Sequence, residues 1–212
     1  MTFNNQSDWA SAIQTNEFTE TKEKELIHPS GSDEACYFNS GKYDSFQIIE
    51  KCNLKKDETI CEFGCGDGRI LRHLSGHYKV YGVDIVDNFI NRSHKYNLNT
   101  TLVKDCKLKF NKIYSLTVFI HLNKEDSREA LQFIYDHLEP GGTAHLHILV
   151  YGFDHDSEEY IQLNYWTKET LDTMVKTIGF NVEHIEEMEG DITVGQFAAN
   201  HDNFCIFSKP SI

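Results

Sequence analysis

Apolar positions along the chain fall into three kinds of stretch. From Ser7 to Ile27 they are sparse, with Trp9, Ala12, Ile13 and Phe18 among charged neighbours. That spacing predicts one or two loosely packed helices lying on a main domain. Phe46, Ile48, Ile49 and Leu54 then form a helical stripe. After the polar turn Lys55-Lys56-Asp57, the run Thr59-Ile60-Cys61-Glu62-Phe63 is short and apolar, like a buried strand. Beyond Phe63 the pattern alternates. A glycine turn leads to a helix through Ile70, Leu71 and Leu74, a strand at Val80-Tyr81-Gly82-Val83, a helix from Asp87 and a strand at Thr101-Leu102-Val103. A strand around Ile113-Tyr114-Ser115-Leu116 precedes a helix from Lys124 to Leu138, stopped by Pro140-Gly141-Gly142, and a strand Ala144–Val150. A helix from Lys168 to Ile178, closed by Gly179, and strands at Val182–Ile185 and Phe204–Phe207 complete the pattern. Strands alternating with helices predict a parallel sheet in an α/β fold.

Composition narrows the class. The chain has 212 residues, 40% of them hydrophobic, which suits one globular domain with elaborations. Thirty-three acidic side chains against 20 basic ones give a formal charge of −13, which disfavours nucleic acid as a partner, since phosphates need a basic face. The six cysteines, at 36, 52, 61, 65, 106 and 205, form no C-x-x-C pair and read as reduced thiols of a cytoplasmic protein. The polar N-terminus lacks the order of a signal peptide, and no apolar run reaches the length of a membrane span.

Ligands of an open parallel sheet sit beyond the carboxyl ends of its strands, so the turn after the first strand draws attention. Here it reads Gly64-Cys65-Gly66-Asp67-Gly68, with glycines on alternate positions that let the backbone approach a ligand closely. A dinucleotide fingerprint would carry its third glycine at position 69, where this chain has Arg69. That departure counts against a nicotinamide-dependent oxidoreductase. Asp84 ends the second strand about 20 residues on, where a carboxylate accepts bonds from ribose hydroxyls.

At Glu62–Gly68, Gly82-Val83-Asp84 and Val103-Lys104-Asp105-Cys106, taken in order, the sequence resembles the class I S-adenosylmethionine-dependent methyltransferases, from about Tyr37 to Pro210, which implies such a domain over residues 37–212. Phe110–Leu122, Leu138–Gly142 and Gly179-Phe180 are similar to that family's fourth strand, its turn before strand five and its entry to strand six. The resemblance implies a Rossmann-like, doubly wound fold with a seven-stranded, mostly parallel sheet, its last strand antiparallel, preceded by a helical cover over residues 1–36. It also implies that Glu62 and the Gly64-Cys65-Gly66 backbone hold the methionine part of S-adenosylmethionine, Asp84 its ribose, Ile85 the adenine ring, and Asp105 with Cys106 the adenine edge. Asn39-Ser40-Gly41-Lys42 looks like a cofactor-covering segment, with a plain turn as the alternative. Arg69 meets a carboxylate of cofactor or substrate, or is an exposed helix cation.

Methyl transfer from a sulfonium is mainly a matter of alignment, so the expected chemistry requires no metal, and a general base only where the acceptor is protonated. His121, after strand four, is the candidate base. Tyr151, past strand five, is a candidate substrate contact beside Asp154, His155 and Asp156, while His145 and His147 alternate on one face of that strand. Tyr37, Phe38, Tyr43, Tyr165 and Trp166 are candidate walls for an apolar or ring-bearing substrate. The expectation is methyl transfer to oxygen or nitrogen of a small molecule. A protein methyltransferase and a catalytically silent S-adenosylmethionine-binding protein are the alternatives, and the oligomeric state is open.

Overall fold

The computed structural model describes residues 20–155, 163–187 and 204–211. Trp9, Ala12, Ile13, Phe18 and Asp156 lie outside them. The chain divides into two compact units, Met1–Lys107 and Leu108–Ile212.

The first unit opens with α1 (Glu20–Ile27) and a 3-10 turn at Pro29–Ser32, followed by α2 (Glu34–Lys51). Asp33 starts α2 because its carboxylate accepts the Cys36 N–H at 2.9 Å, satisfying one of the free donors at the helix end. The helix therefore begins before Tyr37 and runs through the boundary at residue 36/37. Ile48 is buried in its stripe, whereas Phe46 is exposed, because it falls on the opposite side of the helix from Tyr37, Asp44 and Ile48. Three strands follow, β1 (Thr59–Phe63), β2 (Lys79–Asp84) and β3 (Thr100–Leu102), with β1–β2 and β2–β3 paired in parallel. Between them lie α3, a single turn at Leu71–Leu74, and α4 (Asp87–Ser93).

The second unit runs β4 (Phe110–Ser115), α5 (Lys124–His137), β5 (Leu138–His147), α6 (Lys168–Ile178), β6 (Asn181–His184) and β7 (Phe204–Ser208). β4 and β5 are parallel, and β7 runs antiparallel to both β5 and β6. Strand five departs from the sequence expectation at both ends. Pro140-Gly141-Gly142 does not stand outside it as a stop but lies within it. The register jumps from Phe110↔Leu138 to Lys112↔Thr143, so β5 takes up its extra residues in a bulge. Gly141 and Gly142 there exchange backbone hydrogen bonds with Lys209 at 3.0 and 2.9 Å. The strand then ends at His147, and Val150 bridges to Trp166 instead. In all, the strands follow the order β3-β2-β1-β4-β5-β7-β6 in one seven-stranded sheet, a Rossmann-like α/β architecture.

Candidate cofactor site and active site

The turn after β1 is built by backbone geometry. Gly64 and Cys65 both direct their N–H groups to the Val83 carbonyl on β2, at 2.8 and 3.0 Å. Gly64, Gly66 and Gly68 all adopt positive φ, which a side chain would strain. Cys65 packs its side chain inward, nearly fully buried, so only its backbone belongs to the turn's open face. Burial pushes the thiols of Cys61 and Cys65 far up, which leaves both as inert apolar groups. Glu62, the last polar residue of β1, is buried too.

Asp84 ties β2 to this turn. Its Oδ2 accepts the Gly66 N–H at 2.8 Å and its Oδ1 the Val86 N–H at 2.9 Å. The Ile85 N–H acts on the same carboxylate, and with about four lone-pair sites on its two oxygens it keeps room for a further donor. That fits a ribose hydroxyl. Burial pushes the carboxyl up to about 6, held back by the backbone bonds from Gly66, Val86 and Ile85. Ile85 is half-buried beside it, while Asp105 is exposed at the end of the 3-10 turn Val103–Asp105 and Cys106 is buried.

Two buried polar contacts that the sequence did not announce join α2 to the turn. The Tyr37 hydroxyl donates to Asp67 Oδ1 at 2.9 Å, and Arg72 approaches the same oxygen at 3.3 Å. Asp67 is fully buried, and desolvation raises its pKa against the pull of Arg72 and Tyr37. Arg69 is not an exposed cation. It is buried, paired with Asp44 of α2 at 2.6 Å and donating to Ser40 at 3.2 Å. Nor is Asn39–Lys42 a plain turn: it lies inside α2. A Cβ on Gly41 would stand 2.3 Å from the Arg69 carbonyl oxygen, so the glycine lets α2 lie close against the turn. The signal for these contacts was a Tyr, Ser, Gly and Asp at helical spacing from 37 to 44.

In the second unit, His121 closes a 3-10 turn at Phe119–His121, half-buried, with its N–H on the Val118 carbonyl at 3.0 Å. Just before it, Thr117 holds a left-handed φ of 58°, a strained position of the kind that clusters at functional sites. Tyr151 is buried in a cluster with Ile120 and Leu149, and its ring meets Tyr165 edge-on at 5.4 Å. Burial, and then Tyr165, raises the Tyr151 phenol. His155 pairs its backbone with Tyr165, and Asp154 accepts from Thr167 and Thr170. His145 and His147 are buried in β5, and burial together with the Lys112 charge pushes His145 down to about 4. Among the described residues no three His, Cys, Asp or Glu side chains gather as a metal site.

Tyr37 faces inward to Asp67, Phe38 and Tyr43 are exposed on α2, and Trp166 is core. The Tyr165 ring meets those of Tyr151 and Phe153 edge-on at 5.4 and 5.8 Å.

A profile of the methyltransferase domain matches residues 42–185. Phosphoethanolamine N-methyltransferase of Plasmodium falciparum is 24% identical over 155 residues, covering 64% of this chain and 58% of that protein. The chain thus spans a little over half the length of this curated relative. Among solved structures, magnesium protoporphyrin IX methyltransferase of Synechocystis PCC 6803 with S-adenosylmethionine bound shares the fold at a TM-score of 0.62, with 12% identity and 98% of each chain covered. The [4+2]-cyclase SpnF shares it at 0.60, with 14% identity, over 81% of this chain and 82% of its own.

Proposed function

The chain belongs to the methyltransferase-domain family, the class I S-adenosylmethionine-dependent enzymes, and on that premise we propose that it transfers a methyl group to a nitrogen or oxygen of a small-molecule acceptor. The observation that carries this reading is the junction of Asp84 with the glycine turn. A buried carboxylate, fixed by the backbone N–H groups of Gly66, Val86 and Ile85, stands at the end of β2 with acceptor capacity left for a ribose hydroxyl. S-adenosylmethionine supplies an electrophilic methyl group on a sulfonium, which leaves by in-line displacement. The chain's own task is to hold and orient. Asp84 accepts from the ribose, and the glycine turn, braced from α2 by Asp67 and Arg69, supports the methionine end.

On the acceptor side, the Tyr151 phenol stays protonated because burial disfavours its anion, so it donates and orients rather than acting as a base. His121 takes the acceptor's proton. A small acceptor is supported by the names of relatives, one for a phosphorylated amine and one for a porphyrin.

Calorimetric titration with S-adenosylmethionine, S-adenosylhomocysteine and oxidised nicotinamide dinucleotide tests the cofactor half. Binding of the first two alone is expected, and nicotinamide binding in their place overturns it. The cyclase neighbour shows that this fold carries other activities, so turnover is tested separately. Release of S-adenosylhomocysteine with small amines and alcohols is the expected result. Cofactor binding with turnover only on a protein acceptor, or with none, assigns one of the two alternatives.

A further inference from the structure

We propose that Ile27 is a further cofactor-binding residue, that α1 thereby forms a wall of the cofactor site, and that a clasp centred on Lys24 holds this wall down. The proposal rests on the assignment of the glycine turn and Asp84 to the cofactor. Ile27 is the last residue of α1, and its side chain lies broadside on Gly66. A Cβ placed on Gly66 would meet Ile27 Cδ1, Cγ1 and Cγ2 at 3.2, 3.3 and 3.3 Å. The same side chain packs, together with Ile85, on the buried pair Val86 and Phe89. One apolar side chain from outside the sheet therefore touches both the second glycine of the turn and the residues that follow Asp84. Gly66 and Asp84 are themselves hydrogen-bonded, so these two stretches form one surface, assigned to the methionine end at the turn and to the ribose and adenine beyond Asp84. An apolar residue closing such a surface excludes water from the face of the bound adenosine.

The position of Ile27 is secured one turn earlier. Lys24 is buried, its ammonium ion-paired with Glu34 at the start of α2 and with Glu20 at 3.3 Å, and it lies 5.7 Å from the centre of the Tyr37 ring. Tyr37 in turn donates to Asp67 inside the glycine turn. From α4, Arg92 donates to the Glu20 carbonyl at 3.3 Å. A buried ammonium is tolerated only while its partners remain, because an unpaired charge in that setting is strongly disfavoured. Neutralising Glu34 therefore loosens α1 without touching the glycine turn. Glu34 itself is largely exposed, so the change leaves the core intact.

Release of cofactor then requires α1 to lift, and the clasp sets the residence time. The test is stopped-flow dissociation of S-adenosylhomocysteine from the full chain, with the melting temperature of each variant recorded alongside. Ile27→Ala and Glu34→Gln are expected to release it roughly tenfold faster, whatever the fall in melting temperature, with Ile27→Leu close to wild type. A helix that only supports the fold would lower the melting temperature and leave the release rate alone. Wild-type release from both Ile27→Ala and Glu34→Gln, with Asp84→Ala still weakening binding, overturns the wall and leaves the cofactor assignment standing. Wild-type affinity in Asp84→Ala overturns that assignment itself, whichever way α1 behaves.

Discussion

Acidification should weaken cofactor binding through Asp84. Burial raises this carboxyl from 3.8 to about 6, a shift of about 2 pKa units, or about 3 kcal/mol of preference for the neutral form in the folded protein. The sign follows from linkage. Between the unfolded and folded values the native state binds the proton more tightly, so this group's contribution to stability falls as pH rises from about 4 to about 6. Above that window the free enzyme carries the full cost of a buried anion. Ribose hydroxyl donation to the carboxylate stabilises the anion and offsets that cost, so binding selects the ionised form. At pH 5 about one free molecule in ten is ionised, and affinity should be about tenfold below its value at pH 7. Calorimetric titration with S-adenosylhomocysteine at pH 5, 6 and 7, in two buffers of different ionisation enthalpy, reads both the affinity and the proton released. An affinity that stays level from pH 7 to pH 5, with no proton release, refutes the role given to Asp84.

Other contacts give four further expected outcomes. Asp84→Ala should weaken cofactor binding by about 1–3 kcal/mol, read by the same titration at pH 7. Tyr37→Phe leaves the buried Asp67 with Arg72 alone and should lower unfolding free energy by about 1–3 kcal/mol in urea titrations, non-additively with Asp67→Asn. Gly41→Ala would stabilise an ordinary helix interior by about 1 kcal/mol, but here the added Cβ meets the Arg69 carbonyl oxygen, so the melting temperature should fall. His121→Ala should reduce kcat and leave cofactor affinity unchanged; a wild-type kcat removes it as the base.

The periodic pattern reported the fold well because strands and helices that bury a face must show that face in the sequence. The run Thr59–Phe63 and the Lys168–Ile178 helix with its terminal Gly179 stand where the pattern puts them, and the final strand is antiparallel as the family resemblance implied. The bulge in β5 was hidden, since Pro140-Gly141-Gly142 is the signature of a helix stop. Only pairing with β4 and Lys209, distant in sequence, turns it into strand. The glycine turn and Asp84 were legible as local motifs. Their supports were not, because Tyr37, Asp44 and Ile27 act on residues 25 to 39 positions away.

His145 shows the same limit in a single side chain. Alternation placed it on one face of strand five, and a polar face beside a candidate site invites a functional reading. Its surroundings supply a different one: it is buried, near the charge of Lys112, with Nε2 on the Thr143 hydroxyl at 3.1 Å. With a folded pKa of about 4 against 6.5 when free, the unfolded chain binds the proton more tightly in that interval. Stability should therefore fall as pH drops from about 6.5 toward 4, by up to about 3 kcal/mol from this group. Asp84 pulls the opposite way over nearly the same interval, so wild-type denaturation profiles should show a muted pH response, and His145→Phe should unmask a gain in stability on acidification. If that variant and the wild type lose stability in parallel between pH 6.5 and 4.5, His145 is charged in the folded protein and its burial has been misread.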